Sequence, residues 1–300
     1  MARVAVIGGG LMGAGIAQVF AAHGHSVNVC EPVEPLRQSL RQRAADSLRA
    51  IGADPKAAEL IDAAADLPSA VGDADYVTEA VPENLALKRE IFARLVAHAP
   101  RSAILASNTS VIPITRIAEG LDTADRILGT HWWNPAPLIP LVEVIQGTET
   151  STIAVARTMA TLRGVGKRPA HVKKDIAGFV ANRLQHALWR EAIAMVADGV
   201  CDAATLDECV KSSFGLRLAV LGPLENADLV GLDLTLDIHR TIIPELDRHA
   251  GPHEYLAAQV DAGKLGFKTG EGFRSWTDAE MKALREQLTK HLVAARTNLP

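Results

Sequence analysis

Cysteine is scarce in this sequence: Cys30, Cys201 and Cys209 are the three among 300 residues. An odd number at such spacing neither staples a small secreted fold nor supplies a metal's ligand set. It suits buried or half-buried thiols in a reducing cytoplasm. A surplus of positive charge is missing too. The 31 Lys and Arg against 35 Asp and Glu leave a formal charge of −4, with no basic footprint for nucleic acid. No internal repeat or low-complexity segment occurs. The nearest approach to a signal peptide or membrane span is the charge-free stretch 4–22 behind Arg3, but glycines at 8, 9, 10, 13 and 15 unfit it for lipid. The stretch is therefore read as retained. What remains is a globular composition, 48% hydrophobic and 22% charged, in a chain whose length suits two domains.

That same stretch organises the rest. Val4, Ala5, Val6 and Ile7 form the short apolar run of a strand buried on both faces. Gly8, Gly10 and Gly13 then supply G-x-G-x-x-G, and Ile16, Val19 and Phe20 recur at helical spacing. An apolar run at 27–30 ends at Glu31. Strand, glycine turn, helix, strand and acid in that order is the dinucleotide fingerprint. The glycines allow a tight turn, a close approach of backbone to pyrophosphate, and close packing of helix on sheet. Leu11 and Met12, between the second and third glycines, go with them to the cofactor side. Glu31, 18 residues beyond Gly13, is placed to accept from an adenine ribose and to repel a 2′-phosphate, which favours NAD.

Further on, the stretch 31–55 holds a helix candidate that carries Arg37, Arg41, Arg43 and Arg49 and ends near Gly52, its charges serving either a solvated face or an anionic substrate tail. Lys56–Ala65 reads as a second helix and 76–81 as a buried strand, followed by a helix through Lys88 and Phe92. A strand at 104–106 leads into Ser107-Asn108-Thr109-Ser110, polar residues at the carboxyl edge where open α/β sheets bind ligands, or a cap for a helix starting near Pro113. Strands follow at 126–130 and 141–145. Beyond Asp175 the pattern turns helical, with a long amphipathic helix over 179–196 and another capped by Asp202. The expected fold is α/β: an N-terminal Rossmann doubly wound sheet over 1–176, then an all-helical C-terminal domain over 177–300 for substrate binding and dimerisation.

A nicotinamide enzyme must also move a proton, and histidine is the side chain suited to that at neutral pH. His131 ends a strand, and the proline-rich stretch HWWNPAPLIP returns the chain to Glu143, 12 residues on. A stiff connection of that length can set the carboxylate opposite the imidazole; a capped strand end beside a surface acid is the plainer alternative.

The segments SNTS, HWWNPAPLIPLVEVIQG, KDIAGFVANRL and GKLGFKTGEGF together resemble the L-3-hydroxyacyl-CoA dehydrogenase family over essentially the whole chain. The resemblance implies His131 as general base for a 3-hydroxyl, Glu143 as its partner, and Ser110 and Asn182 as holders of the substrate oxygen. It also implies Glu83, Lys88 and Asn108 near the nicotinamide half. The activity implied is NAD-dependent interconversion of an L-3-hydroxyacyl substrate, such as 3-hydroxybutyryl-CoA, and its 3-keto product, with a place in fatty acid metabolism.

Three departures bear on the substrate. Trp132-Trp133 stands where acyl-CoA members often have two phenylalanines, and Trp133 becomes a candidate wall of the site. The stretch after Glu31, which in those members includes a CoA clamp, is short and lysine-poor. Gly215–Glu225 is closer to the lambda-crystallin-like branch of gulonate and carnitine dehydrogenases, with Arg217 a candidate carboxylate anchor. A small CoA-free hydroxy compound, including a ring-attached alcohol, is thus the alternative substrate. A catalytically inactive, crystallin-like NAD-binding protein is the alternative of another class. Neither a nucleic acid nor a membrane is expected as partner; a homodimer is, through the helical domain.

Overall fold

A computed structural model describes residues 1–298 of the chain. The residues group into two units, Met1–Asn182 together with the chain end from Thr289, and Arg183–Leu288.

In the first unit β1 (Arg3–Ile7), α1 (Leu11–Ala22), β2 (Ser26–Cys30), α2 (Glu34–Ala50), β3 (Ile61–Ala64), α3 (Leu67–Val71) and β4 (Tyr76–Glu79) follow one another. Then come α4 (Leu85–His98), β5 (Ile104–Ser107), α5 (Ile114–Ala118), β6 (Ile127–Trp132), β7 (Leu141–Ile145), α6 (Thr152–Gly164) and β8 (Arg168–Val172). The strands form one sheet in the order β3-β2-β1-β4-β5-β6-β7-β8. All neighbours are parallel except β6 and β7. The chain winds outward one way from β1 to β3 and the other way from β4, so the order reverses at β1 and β4. Crevices that bind ligands open at the carboxyl ends of such strands.

The period of two along β1 divides its side chains between two cores. Val4 and Val6 join Ile16, Phe20, Leu40 and Leu162 on one face, and Ala5 and Ile7 join Phe92, Leu95, Leu105 and Ile114 on the other. Burial on both faces is why these strands read as unbroken apolar runs. Register then aligns the sheet's carboxyl edge: Ile7 pairs with Cys30 and with Glu79, and Glu79 pairs with Ser107.

Two local expectations fail. Lys56–Ala65 is not a helix. It is a 3-10 turn, Pro55–Leu60, followed by β3, because fully buried Ile61 pairs with Val27 at the edge of β2 and tertiary pairing overrides the alanine-rich local preference. The helix after the SNTS stretch is not capped by Ser110; its N-cap is Pro113, and the carboxylate of Asp175 accepts from Thr115 N at 2.7 Å. The arginines of α2 serve local structure: Arg37 donates to Glu31 O and Pro32 O, Arg41 to Ile61 O, Arg43 to Gly9 O and Leu36 O, and Arg49 pairs with Asp46. All three cysteines are free. Burial pushes the Cys30 thiol up to about 11, whereas Cys209 is exposed rather than half-buried.

The second unit is helical. It begins within α7 (Ala181–Ala197) and contains α8 (Ala203–Lys211), α9 (Phe214–Arg217), α10 (Pro223–Val230), α11 (Leu232–Ile242), α12 (Glu254–Asp261) and much of α13 (Asp278–Asn298). Asp202 caps α8 as expected, its side chain accepting from Thr205 N at 2.7 Å. Among the described apolar residues of Arg183–Leu288 only Ala194 and Met281 are buried, while Leu184, Trp189, Leu216, Val220, Leu224 and Leu232 are exposed. Among the described residues no helix is long and apolar enough to cross a membrane.

Candidate active site

The antiparallel register sets His131 directly opposite Glu143, so both side chains leave the same face of the sheet. They meet: His131 Nδ1 lies 2.7 Å from Glu143 Oε2, with the imidazole and carboxylate almost wholly buried. The other oxygen, Glu143 Oε1, accepts from Val180 N at 2.9 Å and Ala181 N at 3.0 Å. These are the backbone donors at the start of α7, where the helix dipole favours a negative charge. Burial works against that charge, but the His131 hydrogen bond and the Ala181 and Val180 N–H groups outweigh it and hold the carboxyl below its ordinary range.

Phe179 lets α7 begin there. It has φ of 52° and follows Gly178 at 73°, and it is fully buried. A bulky residue in the left-handed region is a genuine outlier of the kind that clusters at functional sites. Its ring lies 5.7 Å from that of His131, and the ring of Trp133 lies 5.2 Å away. The imidazole is thereby flanked by two aromatics. Trp132, by contrast, is a core residue, 2% exposed and packed on Phe20.

The SNTS loop is anchored from below. Glu79 O accepts from Asn108 N at 2.7 Å, and Asn108 Oδ1 accepts from Trp132 N at 2.9 Å. Glu83 Oε1 accepts from Thr109 Oγ1 at 2.5 Å and from the N–H groups of Ser110 and Val111 at 3.1 Å each. Burial opposes its charge too, yet the Thr109 hydroxyl, the Lys88 ammonium and those N–H groups keep the Glu83 carboxyl below its usual range. Asn182 Nδ2 donates to Ser110 O at 3.0 Å. The four residues expected around the substrate are thus connected, His131 to Glu143, Glu143 to the turn before Asn182, and Asn182 to Ser110. Arg217 lies in the second unit, exposed on α9.

At the glycine turn the residues fit a dinucleotide. Gly8 has φ of 102°, and a Cβ on Gly13 would sit 1.8 Å from Gly8 O, so neither position accepts a side chain. A Cβ on Gly10 would meet nothing within 4 Å. Gly10 opens α1 with no side-chain cap, which leaves the first-turn N–H groups of Leu11, Met12 and Gly13 in the place where a pyrophosphate docks. Glu31 is 5% exposed and accepts from Gly9 N at 2.8 Å and Val33 N at 2.9 Å.

Comparison with known proteins agrees with this geometry. Residues 3–176 match the model of the NAD-binding domain of 3-hydroxyacyl-CoA dehydrogenase, and 178–276 match that of its C-terminal domain. The chain belongs to the 3-hydroxyacyl-CoA dehydrogenase family. As a member it is an NAD-dependent oxidoreductase acting on CH–OH groups. It is 36% identical to 5-formyl-3-hydroxy-2-methylpyridine 4-carboxylate 5-dehydrogenase of Mesorhizobium japonicum over 98% of this chain and 97% of that one. It is 39% identical to 3-hydroxybutyryl-CoA dehydrogenase of Mycobacterium tuberculosis over 91% and 98%. The crystal structure of a 5-formyl-3-hydroxy-2-methylpyridine 4-carboxylic acid 5-dehydrogenase, described as an NAD+-dependent dismutase, superposes with a TM-score of 0.91 at 35% identity, covering 100% of this chain and 98% of that one.

Sequence reasoning missed Glu79 and Phe179. A carboxylate inside the apolar run YVTEAV was the available signal for Glu79, since an unpaired buried charge is not tolerated. For Phe179, the glycine before it hinted only at a turn.

Proposed function

We propose that the chain reversibly oxidises a secondary alcohol, or a ring-attached one, on a small carboxylate-bearing molecule, with His131 as general base. The observation that carries this reading is the buried pair of His131 with a Glu143 whose second oxygen is fixed by the start of α7. Because Nδ1 is committed to Glu143, Nε2 is the nitrogen that takes the hydroxyl proton. Glu143, kept ionised, stabilises the imidazolium that results. Ser110 and Asn182, whose amide retains a second N–H, hold the oxygen that becomes a carbonyl. Bound NAD supplies the hydride acceptor. His131 and Glu143 together speak against the inactive crystallin-like alternative.

Two observations favour a CoA-free substrate over the 3-hydroxyacyl-CoA that family resemblance suggests first. Four arginines of α2, the helix that follows Glu31, are engaged with local carbonyls and carboxylates. Trp133, a larger ring than phenylalanine, also lies 5.2 Å from the imidazole, where its bulk narrows the space for a substrate. Full-length likeness to a pyridine-carboxylate dehydrogenase points the same way. The deciding experiment is NADH formation over a panel of 3-hydroxybutyryl-CoA, gulonate, carnitine and a hydroxymethyl-pyridine carboxylate. A free acid should have the highest kcat/KM, and a clear preference for the CoA thioester would overturn the substrate class. No NADH from any of them would return the inactive alternative.

The working unit in this reading is a homodimer. A helical unit with two buried apolar residues among the described ones leaves its apolar faces for a second copy. Light scattering should give twice the chain mass of 31.9 kDa. The free thiols fit a reducing compartment, the cytoplasm.

A further inference from the structure

Arg43 flanks the buried stripe of α2 formed by Leu40, Ala44 and Leu48. Its side chain runs back toward the start of the helix, the direction that long helical side chains take, and so reaches the glycine turn. There its Nη2 donates to Gly9 O at 2.9 Å and to Leu36 O at 3.0 Å, while Nε donates to Ser39 Oγ at 3.3 Å. Among the described contacts of the four α2 arginines, this is the one made with that turn. Gly9 is buried, so its carbonyl has to be satisfied within the fold. Its N–H is claimed as well, by Glu31 Oε2 at 2.8 Å. A carboxylate and a guanidinium thus hold the two ends of one residue in the middle of the fingerprint.

A peptide unit is planar, and the two that meet at Gly9 are trans, so fixing one end of each fixes the other. With the Gly9 N–H turned to Glu31, Gly8 O faces α1, where a Cβ on Gly13 would lie 1.8 Å from it. With Gly9 O turned to Arg43, the Gly10 N–H points the opposite way, away from α2. Gly10 is exposed, and a Cβ there would meet nothing within 4 Å. We propose that Arg43 is a positioning residue for the cofactor: by holding Gly9 O it orients the Gly10 N–H toward the pyrophosphate of NAD. Without it the peptide between Gly9 and Gly10 is free to turn, and part of the binding energy of the pyrophosphate goes into ordering the turn.

The test is equilibrium binding to the full chain, which needs no turnover and so stands apart from the choice of substrate. Arg43→Met, Arg43→Lys and Arg41→Met are compared by calorimetry for NAD and ADP-ribose, and by displacement of bound NADH for adenosine, which has no pyrophosphate. Arg43→Met should raise the Kd of NAD and of ADP-ribose by about tenfold and that of adenosine by less than about twofold. Arg43→Lys keeps the charge but not the planar fork, and should raise the first two by about threefold. Arg41→Met removes the same charge from the same helix, and should leave all three within about twofold of wild type. Equal losses for ADP-ribose and adenosine would mean a general loosening of α2, and equal losses in the Arg41 and Arg43 variants would mean net charge alone; either overturns the proposal. Unchanged NAD affinity in Arg43→Met, or wild-type affinity in Arg43→Lys, overturns it as well. Should Arg43→Met fail to fold, the lysine variant decides: weaker ADP-ribose beside unchanged adenosine supports the orienting role, and any other result in a folded lysine variant, or its failure to fold, contradicts it.

Discussion

Replacing Glu143 by glutamine keeps the side chain's shape and removes one charge, and the structure fixes what the amide must do. Oε1 of Glu143 accepts two backbone N–H groups, from Val180 and Ala181. The glutamine oxygen has to take that place, since its NH₂ would face two donors there. The NH₂ is then directed at His131 Nδ1, which must accept, so the ring proton moves to Nε2, the nitrogen that should receive the substrate proton. Charge loss adds to this. A carboxylate and an imidazolium about 4 Å apart interact by ~4 kcal/mol at an effective dielectric near 20. Both groups are buried, so little screening applies. At ~1.4 kcal/mol per tenfold, that is close to 10³ in rate. Glu143→Gln should therefore lower kcat by about 10³ with NAD affinity unchanged, measured by NADH formation on the best substrate of the panel and by calorimetry. Glu143→Ala, which leaves the imidazole free to choose its tautomer, should be no slower than the isosteric glutamine. A glutamine variant within about tenfold of wild type would refute the reasoning.

Glu31→Ser should erode the discrimination between NAD and NADP, with their ratio of kcat/KM falling by about tenfold or more as the repulsion of a 2′-phosphate disappears; an unchanged ratio would show that Glu31 serves only to brace Gly9. Acid should destabilise the protein in a way that Glu143 and Glu83 help to set. Both carboxyls titrate below their ordinary range in the fold, so their contribution is fully present above about pH 5 and is lost as pH falls through the folded values. Unfolding midpoints followed from about pH 6 downward should drop less steeply for Glu143→Gln than for wild type, and parallel curves would count against this.

The parts of the molecule written as uninterrupted apolar runs were legible before the structure. β1, β4, β5, β6 and β7 each appear as expected, because a strand covered on both faces has no polar alternative. The dyad was legible too, as a histidine ending one strand and a glutamate on the next, and the register sets them opposite each other. What the sequence hid depends on partners distant along the chain. β3 exists because β2 offers an edge to Ile61, not because of its own residues. Asp175 reaches 60 positions back to open α5. The second anchor of Glu143 is a backbone, invisible in side-chain patterns, and the burial of Lys88 becomes readable only when its place among the buried residues of α4 is set against Glu79, with which it pairs.

The pair of His131 and Glu143 is probed most directly by His131→Gln, with NAD binding and turnover measured on the same sample. The expected result is wild-type affinity for NAD, since the glycine turn and Glu31 are untouched, beside a loss of about 10²–10⁴ in kcat. Near-normal turnover with intact NAD binding would contradict His131 as the base.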